Sequence, residues 1–282
     1  MSSSARFPSW IDGRLHGPGE GRVSIEDQGF LLGLSVFETV LFEGGTAWLL
    51  DRHLARLCEG ARALRIEPRF DPERAVRELC AALGERECAL RITLTRGVPG
   101  AGSTLAVGAR AIVRPEDPGV TVTLEREVKD AHDPLESIKS TNRLRNVLLR
   151  EAAQRAGAFE ALLCTREGDV CEGTLSNVWA VVDGVLRTPA TERGCLPGVM
   201  RGLILEALSL DSLPHHVGRL EQDELARASE VFLSNTTGRA IPVLEVADLV
   251  RGLPGAAGPV LARVRAGIRA AEARWLQSRG TR

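Results

Sequence analysis

The stretch from Cys171 to Gly202 limits the fold more than any other part of the sequence. It contains a β-hairpin signal that is followed by the start of a helix. Alternating apolar segments flank Asp183-Gly184, a dipeptide that favours the tight turn of a hairpin. Pro197-Gly198 then precedes a run whose apolar residues have helical spacing. Because the first N–H groups of a helix bind anions readily, this order predicts a sheet that presents a helix N-terminus to an anionic ligand.

The N-terminal half of the sequence alternates short β segments with helices. The stretches "PSWIDGRLHG" and "RVSIEDQGFLLG" both predict β-hairpins, and Gly44-Gly45 predicts a further turn. Helical spacing follows, with Asp51 as the expected cap of the first helix and a second helix over residues 72–83. A strand is predicted for "CALRITLTRG", and a linker for residues 115–119, which contain prolines, acids and a glycine.

The C-terminal half shows the same mixture beyond the linker. A strand is predicted for "VTVTLEREV" and a helix for "NRLRNVLLREAAQRAG", capped by Asn142 and ended by Gly157. Strands with turns at Gly168 and Asp183-Gly184 come next, and "EVFLSNTTGRAIPV" is predicted as a strand running into a polar loop. The last segment, "VLARVRAGIRAAEARWL", predicts an amphipathic helix. Neither half has the long alternation of a doubly wound sheet, so we expect two lobes of the α+β or α/β class.

The charge balance and the cysteine pattern narrow the function classes. The formal net charge is -1 and no basic stripe is visible, which argues against a nucleic-acid partner. No apolar run reaches membrane-spanning length, and "MSSSARFPSWIDGR" lacks the apolar core of a signal peptide, so we expect a cytoplasmic protein with no membrane partner. The 6 cysteines form no CxxC pair, so we expect reduced thiols and no metal site. The absence of tyrosine excludes phenol-based chemistry.

Several motifs occur in an order that resembles one known family. They are "DQGFLLGLSVFET", "RHLARL", "IKSTNRL", the stretch from Glu172 to Arg201, and "FLSNTTGRAIPV". With them the chain resembles the class IV pyridoxal-phosphate enzymes, or fold type IV, which include branched-chain and D-amino-acid aminotransferases and aminodeoxychorismate lyases. The resemblance implies a two-lobed fold. A small N-terminal α/β domain spans residues 1–117, and a larger C-terminal, cofactor-binding domain with a β-barrel-like sheet and helices spans residues 118–282.

The resemblance also implies pyridoxal 5′-phosphate (PLP) as cofactor and two catalytic residues. Lys139 aligns with the lysine that holds the cofactor aldehyde as a Schiff base, because a deprotonated amine is a nucleophile. Once freed by substrate, this lysine moves a proton between the substrate and the cofactor. Glu172 aligns with the acid that keeps the pyridine nitrogen protonated. Outside their motifs, such a lysine and such a strand-end acid are most often solvated surface charges.

A phosphate cup follows from the same resemblance. Arg56 of "RHLARL" aligns with the phosphate-binding arginine, although its position off the apolar stripe also fits a solvated helix arginine. Backbone N–H groups at a helix N-terminus and the hydroxyls of "NTTG" complete the cup. The full expected cofactor-binding set is Arg56, Lys139, Glu172, Asn177, Val199, Met200, Thr236 and Thr237.

The sequence departs from the family pattern at four places. The usual Gly-Asp-Gly reads Gly33-Leu34-Ser35, which weakens a local turn, and the loop after "TRG" lacks the arginine that clamps the substrate carboxylate in D-amino-acid transaminases. Phe37 takes the place of a tyrosine, and Arg143 stands near the place where branched-chain enzymes have one. We therefore expect Phe37 and Arg143 to bind substrate, with Arg96 as a further cationic candidate. The missing arginine argues against a standard D-amino-acid enzyme.

Three alternatives remain for the reaction. We favour an aminotransferase that moves an amino group between an amino acid or amine and a 2-oxo acid, because "NTTGRAIPV" resembles transaminase loops. "KSTNRL" instead resembles a subgroup of 4-amino-4-deoxychorismate lyases, which form 4-aminobenzoate and pyruvate. A protein that binds the cofactor without turnover is the third alternative, and the presence of both Lys139 and Glu172 argues against it. By resemblance the enzyme is a homodimer, with an interface at its apolar N-terminal hairpins.

Overall fold

A computed structural model describes residues 7–115 and 117–280, and the chain divides into two compact units. The first unit comprises Met1–Val113 and Ile138–Asn142, and the second comprises Arg114–Ser137 and Arg143–Arg282. The domain boundary expected after residue 117 stays a prediction. Residues 1–6 of the N-terminal stretch and residue 116 of the expected linker lie outside the described residues.

The first unit is built on one antiparallel sheet with three helices, counted over its described residues. Its elements are β1 (Ser9–Ile11), β2 (Arg14–His16), α1 (Gln28–Leu32), β3 (Ser35–Glu43), β4 (Thr46–Ala47), α2 (Leu50–Ala63), α3 (Pro72–Leu83), β5 (Cys88–Val98) and β6 (Gly102–Arg110). The strand order is β2-β1-β6-β5-β3-β4. Leucine, valine and isoleucine side chains of α2, α3, β3, β5 and β6 form its buried core.

Local turn chemistry accounts for the two short hairpins of this sheet. Asp12 and Gly13 connect β1 to β2 with φ of 47° and 91°, and Gly44 and Gly45 connect β3 to β4 with φ of 57° and 70°. Such positive φ values are what Asp-Gly and Gly-Gly pairs adopt most readily. These turns, the helix over residues 72–83 and strand β5 agree with the sequence predictions.

Two sequence predictions in the first unit are wrong. The stretch "RVSIEDQGFLLG" forms no hairpin. It contains α1, which is capped by the Asp27 carboxylate accepting the N–H of Gly29 (2.7 Å). Asp51 is not the cap of α2, because the helix begins at Leu50 and Asp51 lies within its first turn. There its negative charge interacts favourably with the helix dipole.

The segment Ile138–Asn142 is attached to strand β3 of the first unit. Val36 and Ser140 form an isolated β-bridge, and the N–H of Phe37 donates to the carbonyl of Lys139 (2.9 Å). Ile138 packs against the core of the same unit. The backbone of Lys139 is therefore fixed to a sheet strand.

The second unit is built on an eight-stranded mixed sheet with four helices, again counted over described residues. Its elements are β7 (Val120–Lys129), α4 (Leu144–Arg155), β8 (Glu160–Thr165), β9 (Val170–Gly173), β10 (Asn177–Val182), β11 (Val185–Pro189), α5 (Val199–Ser209), β12 (His215–Gly218), α6 (Gln222–Ala226), β13 (Glu230–Asn235), β14 (Arg239–Val246) and α7 (Pro259–Gly280). The strand order is β12-β11-β10-β13-β14-β7-β8-β9. Strands β8 and β10 are buried along their whole length, which makes this sheet the centre of the unit's core.

Two further sequence predictions need correction. Asn142 does not cap α4. The helix begins at Leu144 without a side-chain cap, and the Asn142 amide donates to the Gly33 carbonyl in the first unit (3.3 Å). The segment "EVFLSNTTGRAIPV" forms two antiparallel strands, β13 and β14, where one strand was predicted. Among the described helices, none combines the length and apolar content needed to cross a membrane.

Candidate active site

Lys139 lies beside the aromatic ring of Phe37 in the first unit. Its Nζ is 4.7 Å from the ring centroid, and the guanidinium carbon of Arg91 is 3.8 Å from the same centroid. Arg91 reaches the ring because it lies on β5 two residues before Thr93, which opposes Phe37 across the sheet. Cations are attracted to the faces of aromatic rings, so this arrangement is favourable. The structure therefore brings together the predicted catalytic lysine and a predicted substrate residue.

A buried carboxylate, Glu38, joins the predicted phosphate arginine to a histidine in the same unit. Arg56 donates from Nε and Nη2 to the two Glu38 oxygens (2.7 and 2.8 Å), and His53 Nδ1 donates to Oε2 (2.7 Å). Burial opposes the charge on Glu38, but the hydrogen bonds from His53 and Arg56 outweigh it and lower the carboxyl pKa to about 2. Burial also lowers the pKa of His53, so the imidazole is neutral and donates from Nδ1.

This cluster orients the guanidinium of Arg56. A guanidinium carries five N–H donors, and the bonds to Glu38 take two of them. The bidentate pairing fixes the plane of the guanidinium, and the side chain of Arg56 is 12% exposed. Arg56 is therefore not the freely solvated helix arginine that its position off the apolar stripe also allowed.

We expect Glu38→Gln to lower the free energy of unfolding by about 3 kcal/mol at neutral pH, since a pKa displaced from 4.5 to about 2 corresponds to an energy of this size. The folded-state pKa lies below the unfolded value, so this stabilisation is complete above about pH 4.5 and disappears as the pH falls towards 2. Urea unfolding of wild type and variant at several pH values measures the difference. A difference in the free energy of unfolding between wild type and variant that is small at pH 7, or that increases as the pH falls, would contradict the prediction.

Glu172 is buried in the second unit and holds two hydrogen-bond donors. It is the third residue of β9 and opposes Leu163 of β8. Its Oε2 accepts the N–H of Leu196 (2.8 Å), and its Oε1 accepts from Lys129 Nζ (2.8 Å). Lys129 also donates to Glu136. Glu172 is only 4% exposed, so it is not the solvated acid that its sequence neighbours alone would indicate.

Hydrogen bonds connect Glu172 to the segment that precedes α5. The N–H of Leu196 binds Glu172, while the carbonyl of Leu196 accepts from the Asn177 amide (2.9 Å). The turn between Gly173 and Asn177 is held by Glu160, whose carboxylate accepts from the Thr174 and Ser176 hydroxyls and from the N–H of Leu175 (3.0, 2.7 and 2.8 Å). The position of Leu196 therefore depends on both the acid and the amide.

The N-terminus of α5 in the second unit has a glycine cap. Gly198 occupies the cap position without a side-chain hydrogen bond, and the first N–H groups of any α-helix, here those of Val199 and Met200, have no acceptor within the helix. A Cβ atom at Gly198 would clash with the Asn177 side chain, so a larger residue there would force that side chain to move. The role of this helix N-terminus in binding a phosphate group stays a prediction.

The remaining predicted residues occupy defined places in each unit. Thr236 and Thr237 lie in the turn between β13 and β14, which begins at Asn235, and α5 packs against β13. Arg143 takes the cap position of α4. In the first unit, Arg96 donates to the Leu64 carbonyl (2.6 Å). The roles of these residues in binding cofactor or substrate stay predictions.

Four residues of these contact networks have no assignment from the sequence, namely Glu38, His53, Arg91 and Lys129. Glu38 and His53 lie inside the motifs "SVFET" and "RHLARL". The motifs therefore already contained the acid, the histidine and the arginine of this buried group. Arg91 and Lys129 lie in strands without a motif, and only tertiary packing shows their partners. Alternation along a strand does not distinguish a charged residue at a site from one in solvent.

The chain is similar to known proteins over most of its length. A family model described as "Amino-transferase class IV" matches residues 35–246, which is more than half of the chain. A D-alanine aminotransferase of Bacillus licheniformis is 33% identical over 269 residues, covering 92% of this chain and 94% of the relative.

Solved structures agree with this match. The T.th. branched-chain amino acid aminotransferase, complexed with N-(5′-phosphopyridoxyl)-L-glutamate, is 27% identical and superposes with a TM-score of 0.83 over 95% of each chain. The branched-chain aminotransferase of Thermoproteus uzoniensis, solved with norvaline, has a TM-score of 0.84 at 24% identity and covers 95% of this chain and 96% of its own. The predicted two-lobed α+β fold is confirmed by these similarities.

Proposed function

The chain belongs to the class IV aminotransferase family, and from this premise we propose active-site roles for the residues described above. The protein is a PLP-dependent aminotransferase, as the motifs predicted. The proposed roles of these residues in the active site depend on one observation. The matched range 35–246 contains Lys139, Glu172 and every other predicted site residue. Within it, the aromatic ring beside Lys139 and the burial of Glu172 support these proposed roles.

We propose that Lys139 binds the cofactor covalently and transfers the proton at the substrate α-carbon. When bound, PLP supplies a carbonyl carbon for the amino group and a ring that accepts electrons. Lys139 supplies the nucleophilic amine and then the base, and Phe37 covers one side of its Nζ at 4.7 Å. Phe37 thereby limits the access of water to the amine.

We propose that Glu172 accepts the N–H of the protonated ring nitrogen. Its two oxygens already accept from Leu196 and Lys129, but each carboxylate oxygen accepts more than one hydrogen bond. The two donors fix the orientation of the buried Glu172 carboxyl group, and a carboxylate beside the ring nitrogen favours the protonated form of that nitrogen. The residues present therefore fit this part of the cofactor.

We propose phosphate-binding donors in the second unit. They are the N–H groups of Val199 and Met200 and the hydroxyls of Thr236 and Thr237, and Asn177 positions the loop before the helix. Arg56, considered within the first unit alone, keeps the phosphate-binding role that the family motif predicts, and Glu38 orients its guanidinium. The donor types match a phosphate monoester, which accepts several charge-assisted hydrogen bonds.

We propose small apolar amino acids or amines as amino donors, with 2-oxoglutarate or pyruvate as acceptor. The ring of Phe37 beside Lys139 offers an apolar surface to a short side chain. The names of the relatives, which refer to D-alanine and to branched-chain amino acids, support this class. The proposal leaves both enantiomers as candidates and keeps Arg143 as a proposed substrate-binding residue.

Incubation with single amino donors tests the proposed function. Purified protein with PLP should convert its absorption spectrum to that of the pyridoxamine form when D-alanine, L-leucine or a small amine is added. Addition of 2-oxoglutarate or pyruvate should then restore the original spectrum, as a ping-pong reaction requires. If no donor acts and aminodeoxychorismate instead yields 4-aminobenzoate and pyruvate, the aminotransferase proposal is wrong.

We further propose that the active enzyme is a homodimer that associates through the apolar segment 23–32. Ile25, Phe30, Leu31 and Leu32 of this segment are all exposed although they are large and apolar. Contiguous exposed apolar residues of this kind are typical of protein–protein interfaces. A second copy of the chain is the proposed partner.

Replacing Phe30 and Leu31 together by aspartate should raise the dimer dissociation constant at least tenfold, or about 1.4 kcal/mol. The reason is that a charge buried at an interface without a partner is strongly unfavourable. Sedimentation equilibrium measures the constant. Leu210→Asp is a matched control, because Leu210 is 73% exposed and Phe30 is 72% exposed, but Leu210 lies outside the segment. Equal dissociation constants in all three proteins would disprove the interface.

We also propose that the protein acts in the cytoplasm. All six cysteines, which lie within the described residues, are free. Burial raises the pKa of Cys164 to about 11 and that of Cys195 to about 12, so both remain thiols. Free thiols are typical of reducing compartments. Recovery of the native protein from an extracytoplasmic fraction of its source cells would contradict this proposal.

A further inference from the structure

Lys129 is a buried ammonium group held between two carboxylates. The side chain is 1% exposed, and its Nζ donates to Glu172 Oε1 (2.8 Å) and to Glu136 Oε2. Lys129 and Lys139 are the two lysines of a sequence that carries 36 lysine and arginine residues. Everywhere else the chain uses arginine for positive charge. A lysine at this buried position therefore calls for a physical reason.

An irregularity in β7 places Lys129 at this point. In the parallel pairing of β7 with β8, Glu125 opposes Leu163, and the next pair is Lys129 with Thr165. β7 thus advances four residues where β8 advances two. Irregularities of this kind redirect side chains. Since Leu163 also opposes Glu172 of β9, the ammonium and the acid come from strands on either side of β8.

The charges of the three side chains add up to one negative charge. Burial disfavours the ammonium form of Lys129. Attraction to Glu172 and the hydrogen bonds of both carboxylates outweigh burial and raise the pKa of Lys129 above its ordinary value. The group therefore contains one positive and two negative charges. A protonated ring nitrogen beside Glu172 would balance the remaining negative charge.

We propose that Lys129 is a positioning residue that keeps Glu172 ionised and directed at the ring nitrogen of PLP, by balancing the charge of Glu136. This inference rests on the proposed role of Glu172. Without the ammonium, two carboxylates that now contact one nitrogen atom would face each other, with Glu172 buried and Glu136 18% exposed. Like charges so close raise the pKa of one partner strongly, so one carboxyl would take up a proton.

A lysine suits this position better than an arginine. The ammonium group is compact and directs its three donors to acceptors at different angles, whereas a guanidinium is planar and larger. Here one nitrogen contacts carboxylates from two separate segments, at Glu136 and at Glu172. The strict use of arginine elsewhere in the chain makes this exception informative.

The test compares Lys129→Met, Glu136→Gln and the double variant K129M/E136Q in the cofactor-loaded enzyme. The 15N resonance of PLP labelled at its ring nitrogen reports whether that nitrogen is protonated. Methionine is close to lysine in size but uncharged, so K129M should shift the resonance towards the unprotonated position and lower kcat about tenfold. A tenfold loss is part of the roughly hundredfold or greater contribution that a correctly ionised catalytic group makes.

The double variant should restore the protonated resonance, because Glu172 is then the one charged member of the group. A role of Lys129 in packing alone predicts no such recovery. If K129M does not fold, the 15N resonance of the PLP ring nitrogen in the double variant is compared with that in E136Q. The ring nitrogen should be more protonated in the double variant than in E136Q. Identical resonances in wild type and K129M, or in the double variant and E136Q, would overturn the inference while PLP binding stands. A wild-type protein that binds no PLP would overturn the proposed function itself.

Discussion

Lys139→Ala should abolish covalent attachment of the cofactor and lower kcat by on the order of 10⁴-fold or more. The variant loses both the nucleophile that binds PLP and the base that moves the substrate proton, and each contributes a large factor. Reduction of the wild-type enzyme with borohydride should fix a pyridoxyl group on Lys139. Peptide mass mapping is decisive here, because Lys129 is the one other lysine in the sequence.

Lys139→Arg is the matched control for this experiment. It keeps a positive charge beside Phe37, whose ring centroid lies 4.7 Å from the lysine Nζ, but a guanidinium does not deprotonate and is no nucleophile. We expect it to be as inactive as the alanine variant, with circular dichroism and thermal unfolding close to wild type in both. Substantial turnover in either variant, or a pyridoxyl group on Lys129, would show that Lys139 is not the catalytic lysine.

Glu172→Gln should lower kcat on the order of a hundredfold while the protein stays folded and binds PLP. The amide oxygen of glutamine still accepts the N–H of Leu196, and Lys129 keeps its bond to Glu136. A neutral amide, however, does not favour a protonated ring nitrogen, so the substrate carbanion loses its electron acceptor. The deuterium isotope effect with α-deuterated donor should rise, because proton abstraction becomes rate-limiting.

Glu230→Gln is a matched control for a buried glutamate of structural function. Glu230 is 5% exposed and accepts the N–H groups of Val260 and Leu261 at the start of α7 (2.9 Å each). This variant should lose stability, because charge-assisted bonds to a helix N-terminus are weakened, yet it should retain kcat. If E172Q instead behaves like E230Q, Glu172 is a structural acid and its assignment is wrong.

Local chemistry explains which elements could be predicted. Asp12-Gly13 and Gly44-Gly45 form the expected turns because few dipeptides adopt positive φ as readily. The helix over residues 72–83 begins with an aspartate cap, where Asp71 accepts the N–H of Glu73 (3.0 Å), and proline at its first position. In each case the interactions that decide the conformation lie within a few residues, so the sequence contains them.

The wrong predictions share the opposite property. Asn142 has the right side chain for a helix cap, yet its amide binds the carbonyl of Gly33, which is distant in sequence. The apolar residues of α1 do not indicate a helix from the sequence, because five helical residues are too few to show a period. A side chain or a short segment with two compatible local states takes the one that its tertiary neighbours stabilise.

The sequence by itself determined the order of strands and helices in most of the chain, the family, the cofactor, and Lys139 and Glu172 as candidates, because motif order and turn chemistry are properties of neighbouring residues. Only the tertiary structure decided that Glu172 is buried, that Arg56 is oriented by Glu38, and that Lys129 binds Glu172. Those contacts join residues up to 43 positions apart. The energy of a charged side chain depends on burial and on partners brought by other strands, and strand pairing sets both.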